Sequence, residues 1–147
     1  MTPNITVEVQ TALPACDAEQ IIRALVGYNV TQAPPANHRI LAVVARRAGE
    51  IVGGLLGYTH WEWLFIQQLW VADTFRRRGL GRSLMRAAEQ EACRRGCRNA
   101  HCDTYDFQAL SFYQKLGYHI FGQLEDYPAG HTRYFLQKRT LDETGIT

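Results

Sequence analysis

The 147-residue sequence predicts a single α/β domain over residues 1–147, with a mixed, mostly antiparallel sheet flanked by helices. Two adjoining segments predict this class. The apolar run at residues 64–71 has the length of a buried strand, and apolar residues recur at helical spacing through residues 79–95. A strand-like run at residues 99–104 closes a strand–helix–strand unit, which implies a parallel pair joined by a right-handed crossover. We therefore expect this parallel pair at the centre of the sheet.

The elements before this unit are predicted as a strand, a helix and a hairpin. Alternating apolar residues predict a strand at residues 5–9, and helical spacing predicts a helix around residues 21–26. Two adjacent prolines mark residues 29–38 as a loop. Runs at residues 40–45 and 51–58 predict the strands of a hairpin, which leads antiparallel into the central apolar run.

The elements after the unit are shorter. We expect a helix at residues 107–117 that ends in glycine, a strand at 118–121, a loop at 126–131, a last strand at 132–137 and a polar tail at 138–147.

Composition and charge limit the classes of function. No apolar run approaches the ~20 residues that span a bilayer, and the first residues lack the basic and apolar regions of a signal peptide, so we expect a cytoplasmic protein without membrane association. The net charge is only +2, but eight arginines and two acids lie between Arg76 and Arg98. Charge concentrated near one turn favours a small polyanion over a long nucleic acid, which requires a broad basic face.

The four cysteines do not predict a metal site. Cys93 and Cys97 are four residues apart and lack the paired spacing of structural zinc sites, so we expect reduced cysteines that pack as small apolar residues, and no bound metal.

The turn after the central strand has the properties of a phosphate site. Arg76 to Gly81 opens the amphipathic helix, whose first N–H groups have no intrahelical partner and whose dipole is positive at that end. Gly79 and Gly81 lack a Cβ, so an anion can approach the backbone. A solvated surface turn is the alternative interpretation. The segment has neither the lysine of a Walker loop nor the third glycine of a dinucleotide fingerprint.

Two motifs in this order resemble the GNAT superfamily of acyl-CoA-dependent N-acyltransferases. The first is Arg-x-x-Gly-x-Gly, here Arg76, Gly79 and Gly81. The second is Ala-x-x-x-Tyr-x-x-x-Gly-aromatic, here residues 109–118. The resemblance covers roughly residues 40–136. It implies a GNAT-type fold whose two central parallel strands splay apart around the acyl thioester, acetyl-CoA as co-substrate, and a homodimer.

The resemblance also implies which residues bind acetyl-CoA. The strand backbone around Leu69 and Val71 would bind the pantetheine arm, and the turn would hold the pyrophosphate. The residues assigned to acetyl-CoA in this way are Leu69, Trp70, Val71, Arg76, Arg77, Arg78, Gly79, Leu80, Gly81, Arg82 and Phe112.

Tyr113 occupies the tyrosine of the second motif, which in the family is commonly the general acid for the departing thiolate. A phenol, with an ordinary pKa of about 10, is a suitable donor to a thiolate whose conjugate thiol has an ordinary pKa of about 8.5. A core aromatic beside Phe112 is the other interpretation of Tyr113. The resemblance further implies that a backbone N–H near Leu69 polarises the thioester carbonyl.

The general base is not fixed by the sequence. The family often has a carboxylate on the central strand, whereas this chain has Gln67 and Gln68, and a position that is often asparagine is Asp106. Glu62 is our first candidate for the base, although it can equally be an exposed carboxylate between two tryptophans. The further candidates are His60, Asp103 and His131. A water chain or a neutral acceptor amine would need no dedicated base.

Several aromatic residues fall near predicted strand ends and can form an apolar or planar acceptor pocket, or core and dimer contacts. They are Tyr58, Trp61, Trp63, Trp70 and Tyr127. His131 and Arg133 are expected to meet an anionic acceptor.

The function that we predict is an N-acetyltransferase acting by direct attack of an amine of a small molecule on acetyl-CoA. A protein or peptide acceptor, a non-enzymatic acyl-CoA sensor and a nucleic-acid-binding module are the alternatives.

Overall fold

The computed structural model describes residues 3–142 and divides the chain into two units, residues 1–35 and 36–147. The first unit contains helix α1 (Ala15–Gln32), which confirms the predicted helix and extends it into the predicted loop. The predicted strand at residues 5–9 is wrong for the described residues, which have no regular structure there. The described part of this unit contains no strand with which residues 5–9 could pair, and an unpaired strand leaves its N–H and C=O groups without partners.

The second unit is a six-stranded sheet with two further helices. Its elements are β1 (Arg39–Arg47), β2 (Glu50–His60), β3 (Trp63–Val71), a 3₁₀ turn (Asp73–Phe75), α2 (Leu80–Arg94), β4 (Asn99–Tyr105), α3 (Leu110–Lys115), β5 (His119–Glu125) and β6 (Thr132–Arg139). The strand order is β1-β2-β3-β4-β6-β5. The pairing of β3 with β4 is parallel and the other pairings are antiparallel, which confirms the predicted mixed sheet.

Element boundaries differ from the predictions mainly at turns. Both early hairpins close through two residues with positive φ, Ala48–Gly49 and Trp61–Glu62, so their strands run closer to the turns than the pattern indicated. β5 is longer than predicted, and the first two residues of the expected polar tail belong to β6. Residues 143–147 of that tail lie outside the described residues.

The parallel pair is short and then opens. Its ladder joins only residues 63–66 of β3 to residues 99–102 of β4. Beyond Ile66 and Cys102, β3 continues to Val71 paired only with β2, and β4 continues to Tyr105 paired only with β6. The two central strands therefore part halfway along their length, as the resemblance implied.

A β-bulge lies where the strands begin to part. Leu56 of β2 faces Gln68, and the next residue, Gly57, faces Ile66, so Gln67 is an extra residue in β3. A Cβ at Gly57 would lie 2.1 Å from the carbonyl oxygen of Phe65. Only glycine therefore allows β2 to approach β3 so closely at this bulge.

Helix α2 covers one face of the sheet with the predicted apolar stripe. Leu84, Met85, Ala88 and Ala92 are buried in the core of the second unit. The same face also buries Glu89, which the apolar spacing did not indicate. The hydroxyl of Tyr118 donates to Glu89 Oε1 at 2.7 Å, and Lys138 Nζ lies 3.1 Å from Glu89 Oε2.

Candidate active site at the opened strand pair

The turn between β3 and α2 has a backbone suited to an anion. Arg77 and Gly79 both take left-handed conformations, with φ of 62° and 80°. Gly79 is the N-cap of α2, and none of the described side chains caps this helix start. Such a turn, followed by the free N–H groups of a helix N-terminus, can hold a phosphate or pyrophosphate.

The arginines of the turn divide into two roles. Arg76 Nε donates to the carbonyl oxygen of Val71 at 2.9 Å, and its guanidinium lies 2.8 Å from Asp73, so this side chain holds the turn against the end of β3. Arg77, Arg78 and Arg82 are exposed and are the cations that a bound anion can meet. All four arginines were predicted from the sequence to bind the phosphates.

The arginines between Arg76 and Arg98 do not form a single anion-binding surface. At the far end of α2, Arg95 bonds Glu91 at 3.0 Å and the carbonyl oxygen of Ile40 at 3.1 Å, and therefore ties the helix to β1. A cation that the sequence analysis missed lies at the phosphate end, where the guanidinium of Arg47 is 5.5 Å from the ring centre of Phe75. Arg47 belongs to β1, so no local pattern connected it with the turn.

Helix α3 packs against the first turn of α2 beside β3. A Cβ at Gly81 would lie 3.3 Å from the ring of Phe112 and 3.8 Å from Val71 Cγ2. Leu69 and Val71 pack their side chains against the core, whereas Trp70 is half-exposed. The structure thus brings together the end of β3, the helix start and Phe112.

Tyr113 lies buried between two aromatic rings. Its ring contacts Phe112 at 5.2 Å and Tyr118 at 6.0 Å, both edge to face. Burial raises the pKa of Tyr113, and Cys102 and Asp103 raise it further. Tyr113 is therefore a neutral phenol at physiological pH, and a neutral phenol can donate a proton.

Glu62 lies at the wrong end of β3 for a base at the thioester. It forms the β2–β3 turn, and its carbonyl oxygen accepts a hydrogen bond from the N–H of Arg98 at the start of β4. From Trp63, the first residue of β3, to Leu69 there are six residue steps, which correspond to about 20 Å. The structure does not bring Glu62 together with Tyr113, and this position argues against the predicted role of Glu62.

The face opposite α2 carries polar and aromatic groups where β4 leaves β3. Asp103 follows the last paired residue of β4 and is held by Arg133 of β6, with distances of 3.0 Å to Nε and 2.8 Å to Nη2. The guanidinium also lies over the rings of Tyr105 and Tyr127, at 5.6 and 5.0 Å. Because Asp103 already neutralises Arg133, this pair offers no free cation to the anionic acceptor that the sequence analysis expected.

Three stacked rings form an aromatic shelf beside this ion pair. Tyr105 stacks with Phe107 at 5.2 Å and with Tyr127 at 5.9 Å. Phe107 and Tyr127 are 57% and 44% exposed, so the shelf can receive an apolar or planar molecule. Of the predicted pocket aromatics, only Tyr127 belongs to it.

Three of the other four predicted aromatics gather elsewhere. Tyr58, Trp61 and Trp63 line a cavity of about 300 Å³ together with His60, Phe65 and His101. Burial lowers the pKa of His101, whose ring stacks on Phe65 at 4.5 Å. This cavity lies at the start of β3 and β4, at the opposite end from the phosphate turn.

His131 and Asp106 form a further pair next to the shelf. His131 Nδ1 lies 2.8 Å from Asp106 Oδ1, and the ring centres of Phe107 and His131 are 4.9 Å apart with the rings nearly perpendicular. Neither the four free cysteines nor any other group of potential ligands within residues 3–142 forms a cluster that could hold a metal ion.

Comparisons with known proteins find acetyltransferases. A model of the acetyltransferase (GNAT) family matches residues 13–118. The chain is 43% identical to the blasticidin-S acetyltransferase of Streptomyces morookaense over 91 residues, which are 61% of this chain and 67% of that protein. It is 35% identical to an acetyltransferase of Agrobacterium fabrum over 125 residues, 84% of this chain and 91% of that protein. The crystal structure of an acetyltransferase from Bacillus cereus superposes with a TM-score of 0.81 at 31% identity, covering 90% of this chain and 97% of that one.

Proposed function

The chain belongs to the GNAT family of acetyltransferases, and we propose that it transfers the acetyl group of acetyl-CoA to an amine of a small molecule by direct attack. The observation that carries this proposal is the parallel pair that opens after Ile66 and Cys102. The opening leads at one end to the uncapped start of α2 and is flanked by Tyr113 on one face and the aromatic shelf on the other. On this proposal these features would serve as donor site, proton donor and acceptor surface.

We assign the donor site to the end of β3 and the turn. The backbone of Leu69 and Val71 would bind the pantetheine arm, the amides of Gly79–Gly81 would bind the pyrophosphate, and an N–H near Leu69 would polarise the thioester carbonyl. Because Arg76 already bonds Val71, its role would be to shape the turn.

The small-molecule acceptor is supported by one of the relatives. The relative from Streptomyces morookaense is named for blasticidin S, which makes that compound the first acceptor to test. The exposed shelf of Phe107 and Tyr127 is a surface on which a compact planar molecule can rest. A peptide N-terminus is the competing acceptor.

The proposal is tested by CoA release from acetyl-CoA, with blasticidin S, simple amines and a peptide as acceptors. Tyr113→Phe should lower kcat about 10²-fold or more with little change in acetyl-CoA binding, because the thiolate loses its proton donor. Tyr118→Phe is the matched control. It removes a neighbouring phenol that bonds Glu89, so it should lower stability while the folded enzyme keeps its turnover.

The outcomes separate the alternatives. Acetyl-CoA binding in a calorimeter without CoA release to any acceptor would favour an acyl-CoA sensor. Release to the peptide alone would make the acceptor a polypeptide. A Tyr113→Phe enzyme with full turnover would remove Tyr113 from the acid role.

We also propose that the protein is a cytoplasmic homodimer without nucleic-acid partners. None of the helices in residues 3–142 is long and apolar enough to cross a membrane. Light scattering of the pure protein tests the dimer, and titration with DNA and RNA at low salt tests the absence of nucleic-acid binding.

A further inference from the structure

The His131–Asp106 pair is fixed more firmly than an ordinary surface ion pair. Asp106 Oδ1 faces His131 Nδ1 at 2.8 Å, and Asp106 Oδ2 accepts the backbone N–H of Thr132 at 3.0 Å. The N–H of Asp106 in turn donates to the carbonyl oxygen of Thr132 at 3.0 Å. Both carboxylate oxygens are therefore held, and the loop after β4 is tied to the start of β6.

We propose that His131 is the general base that deprotonates the acceptor amine, and that Asp106 is its positioning residue; this inference rests on the proposed acetyltransferase function. A carboxylate at Nδ1 favours the tautomer with its proton there, which leaves the Nε2 lone pair free to accept a proton. In other active sites, too, a catalytic base is oriented by a hydrogen bond to a further group.

The proton balance is complete without any further reactant. His131 Nε2 takes one proton from the ammonium form of the acceptor, which becomes a neutral nucleophile. The nitrogen then bonds to the acetyl carbon, and the bond from that carbon to sulfur breaks. The second proton of the attacking nitrogen passes through solvent to Tyr113 as Tyr113 gives its own proton to the thiolate. The proton on His131 returns to water.

The surroundings place the pair beside the acceptor surface. Asp106 directly follows Tyr105, the last residue of β4, and the exposed ring of Phe107 contacts both Tyr105 and the imidazole of His131. A molecule resting on the shelf therefore has the imidazole at its edge. His131 is 45% exposed, so it can exchange its proton with solvent after each turnover.

The other candidates near the opening are less suited to this role. Gln67 and Gln68 cannot accept a proton at neutral pH, and Glu62 lies at the far end of β3. Asp103 is occupied by Arg133 through two short contacts.

The charges around the imidazole are mixed. Asp106 contacts the imidazole directly, and Asp126 lies in the same loop as His131. The Asp103–Arg133 ion pair and the phenols of Tyr105 and Tyr127 lie on the adjoining strands and loop. Desolvation raises the pKa of Asp106, but hydrogen bonds from His131 and Thr132 outweigh it and lower that pKa, so this carboxylate stays charged at neutral pH.

The test is the pH dependence of kcat/KM for the acceptor in the full-length enzyme. The wild type should show an acid inflection, below which kcat/KM falls about tenfold per pH unit because the base is protonated. His131→Gln should lower kcat about 10²- to 10⁴-fold at neutral pH and remove this inflection, with the KM for acetyl-CoA unchanged. Asp106→Asn should lower kcat less and move the inflection without removing it. His119→Gln, at an exposed position of β5, is the control and should behave as wild type.

A weakly basic acceptor gives a second readout. A hydrazide nitrogen is already neutral at pH 7, so His131→Gln should cost far less with a hydrazide than with an alkylamine. An unchanged inflection in His131→Gln, or an equal loss with both acceptors, would overturn the proposal. A wild-type enzyme that acetylates neither acceptor would instead refute the proposed acetyltransferase function.

Discussion

The glycine at the β-bulge provides the sharpest prediction from the fold. Gly57→Ala would place a Cβ 2.1 Å from the carbonyl oxygen of Phe65, where real Cβ contacts are not found below 3.0 Å. The atoms that this Cβ would meet belong to the backbone of β3, so no side chain can move aside. The strands must separate by about 1 Å, which is large compared with the tolerance of a packed sheet.

The expected loss of stability follows from what that separation breaks. One or two ladder hydrogen bonds near the Gly57–Ile66 pair would be lost at about 1 kcal/mol each, and overpacking adds about 1–3 kcal/mol. The free energy of unfolding should therefore fall by about 2–5 kcal/mol. Because the bulge also positions Gln67, Gln68 and Leu69, a shift of about 1 Å should lower kcat by up to about 10²-fold.

Urea unfolding followed by circular dichroism measures the first effect, and CoA release by the folded protein measures the second. Gly54→Ala in the same strand is the matched control, because its Cβ would lie 3.4 Å from the nearest atom, the carbonyl oxygen of Val43. This control should change the free energy of unfolding by less than about 1 kcal/mol. Equal stability and equal kcat for the two variants would refute our explanation of the bulge.

Two further predictions concern buried ionisable groups. Lys138→Met should lower the free energy of unfolding by about 3–5 kcal/mol in urea, because it leaves the buried Glu89 carboxylate without its cation, and the double variant with Glu89→Leu should recover much of the loss. Burial raises the pKa of Cys102 to about 12 from the 9 of a free thiol, so only the unfolded chain releases this proton above pH 9. The Cys102 thiol should therefore lower the free energy of unfolding by about 1.4 kcal/mol per pH unit from pH 9 upward. Cys102→Ala should remove this contribution to the pH dependence. An unchanged slope in Cys102→Ala, or a Lys138→Met protein as stable as the wild type, would contradict the respective argument.

The sequence predicted the elements that depend on local patterns. The strand, glycine turn and amphipathic helix over residues 64–95 were predicted because their signals lie within a few residues of one another, and the structure confirms them. The predicted strand at residues 5–9 was wrong for the described residues, because alternation predicts a strand only where a neighbouring strand pairs with it. Glu89 shows the same limit within the core, since its partner Lys138 lies 49 residues away.

The candidate site was predictable on the donor side and less so on the acceptor side. Leu69, Val71 and the glycines of the turn follow one another along the chain, so a motif could identify them. Glu62 was ranked first as the base because it is close to β3 in sequence. A residue that precedes a strand, however, lies at the opposite end from one that follows it. The pairing of His131 with Asp106 joins two loops 25 residues apart, and no local pattern could indicate it.

The two groups that we propose for proton transfer differ in burial, and this difference suits one to donate a proton and the other to accept one. Tyr113 lies among the core rings on the face that α2 covers, and its raised pKa keeps it protonated until the thiolate forms. His131 is exposed on the acceptor side and can unload a proton to water. The sheet separates these two environments everywhere except where β3 and β4 part. On this proposal the opening of the strands lets a thioester meet a buried acid from one face and an exposed base from the other.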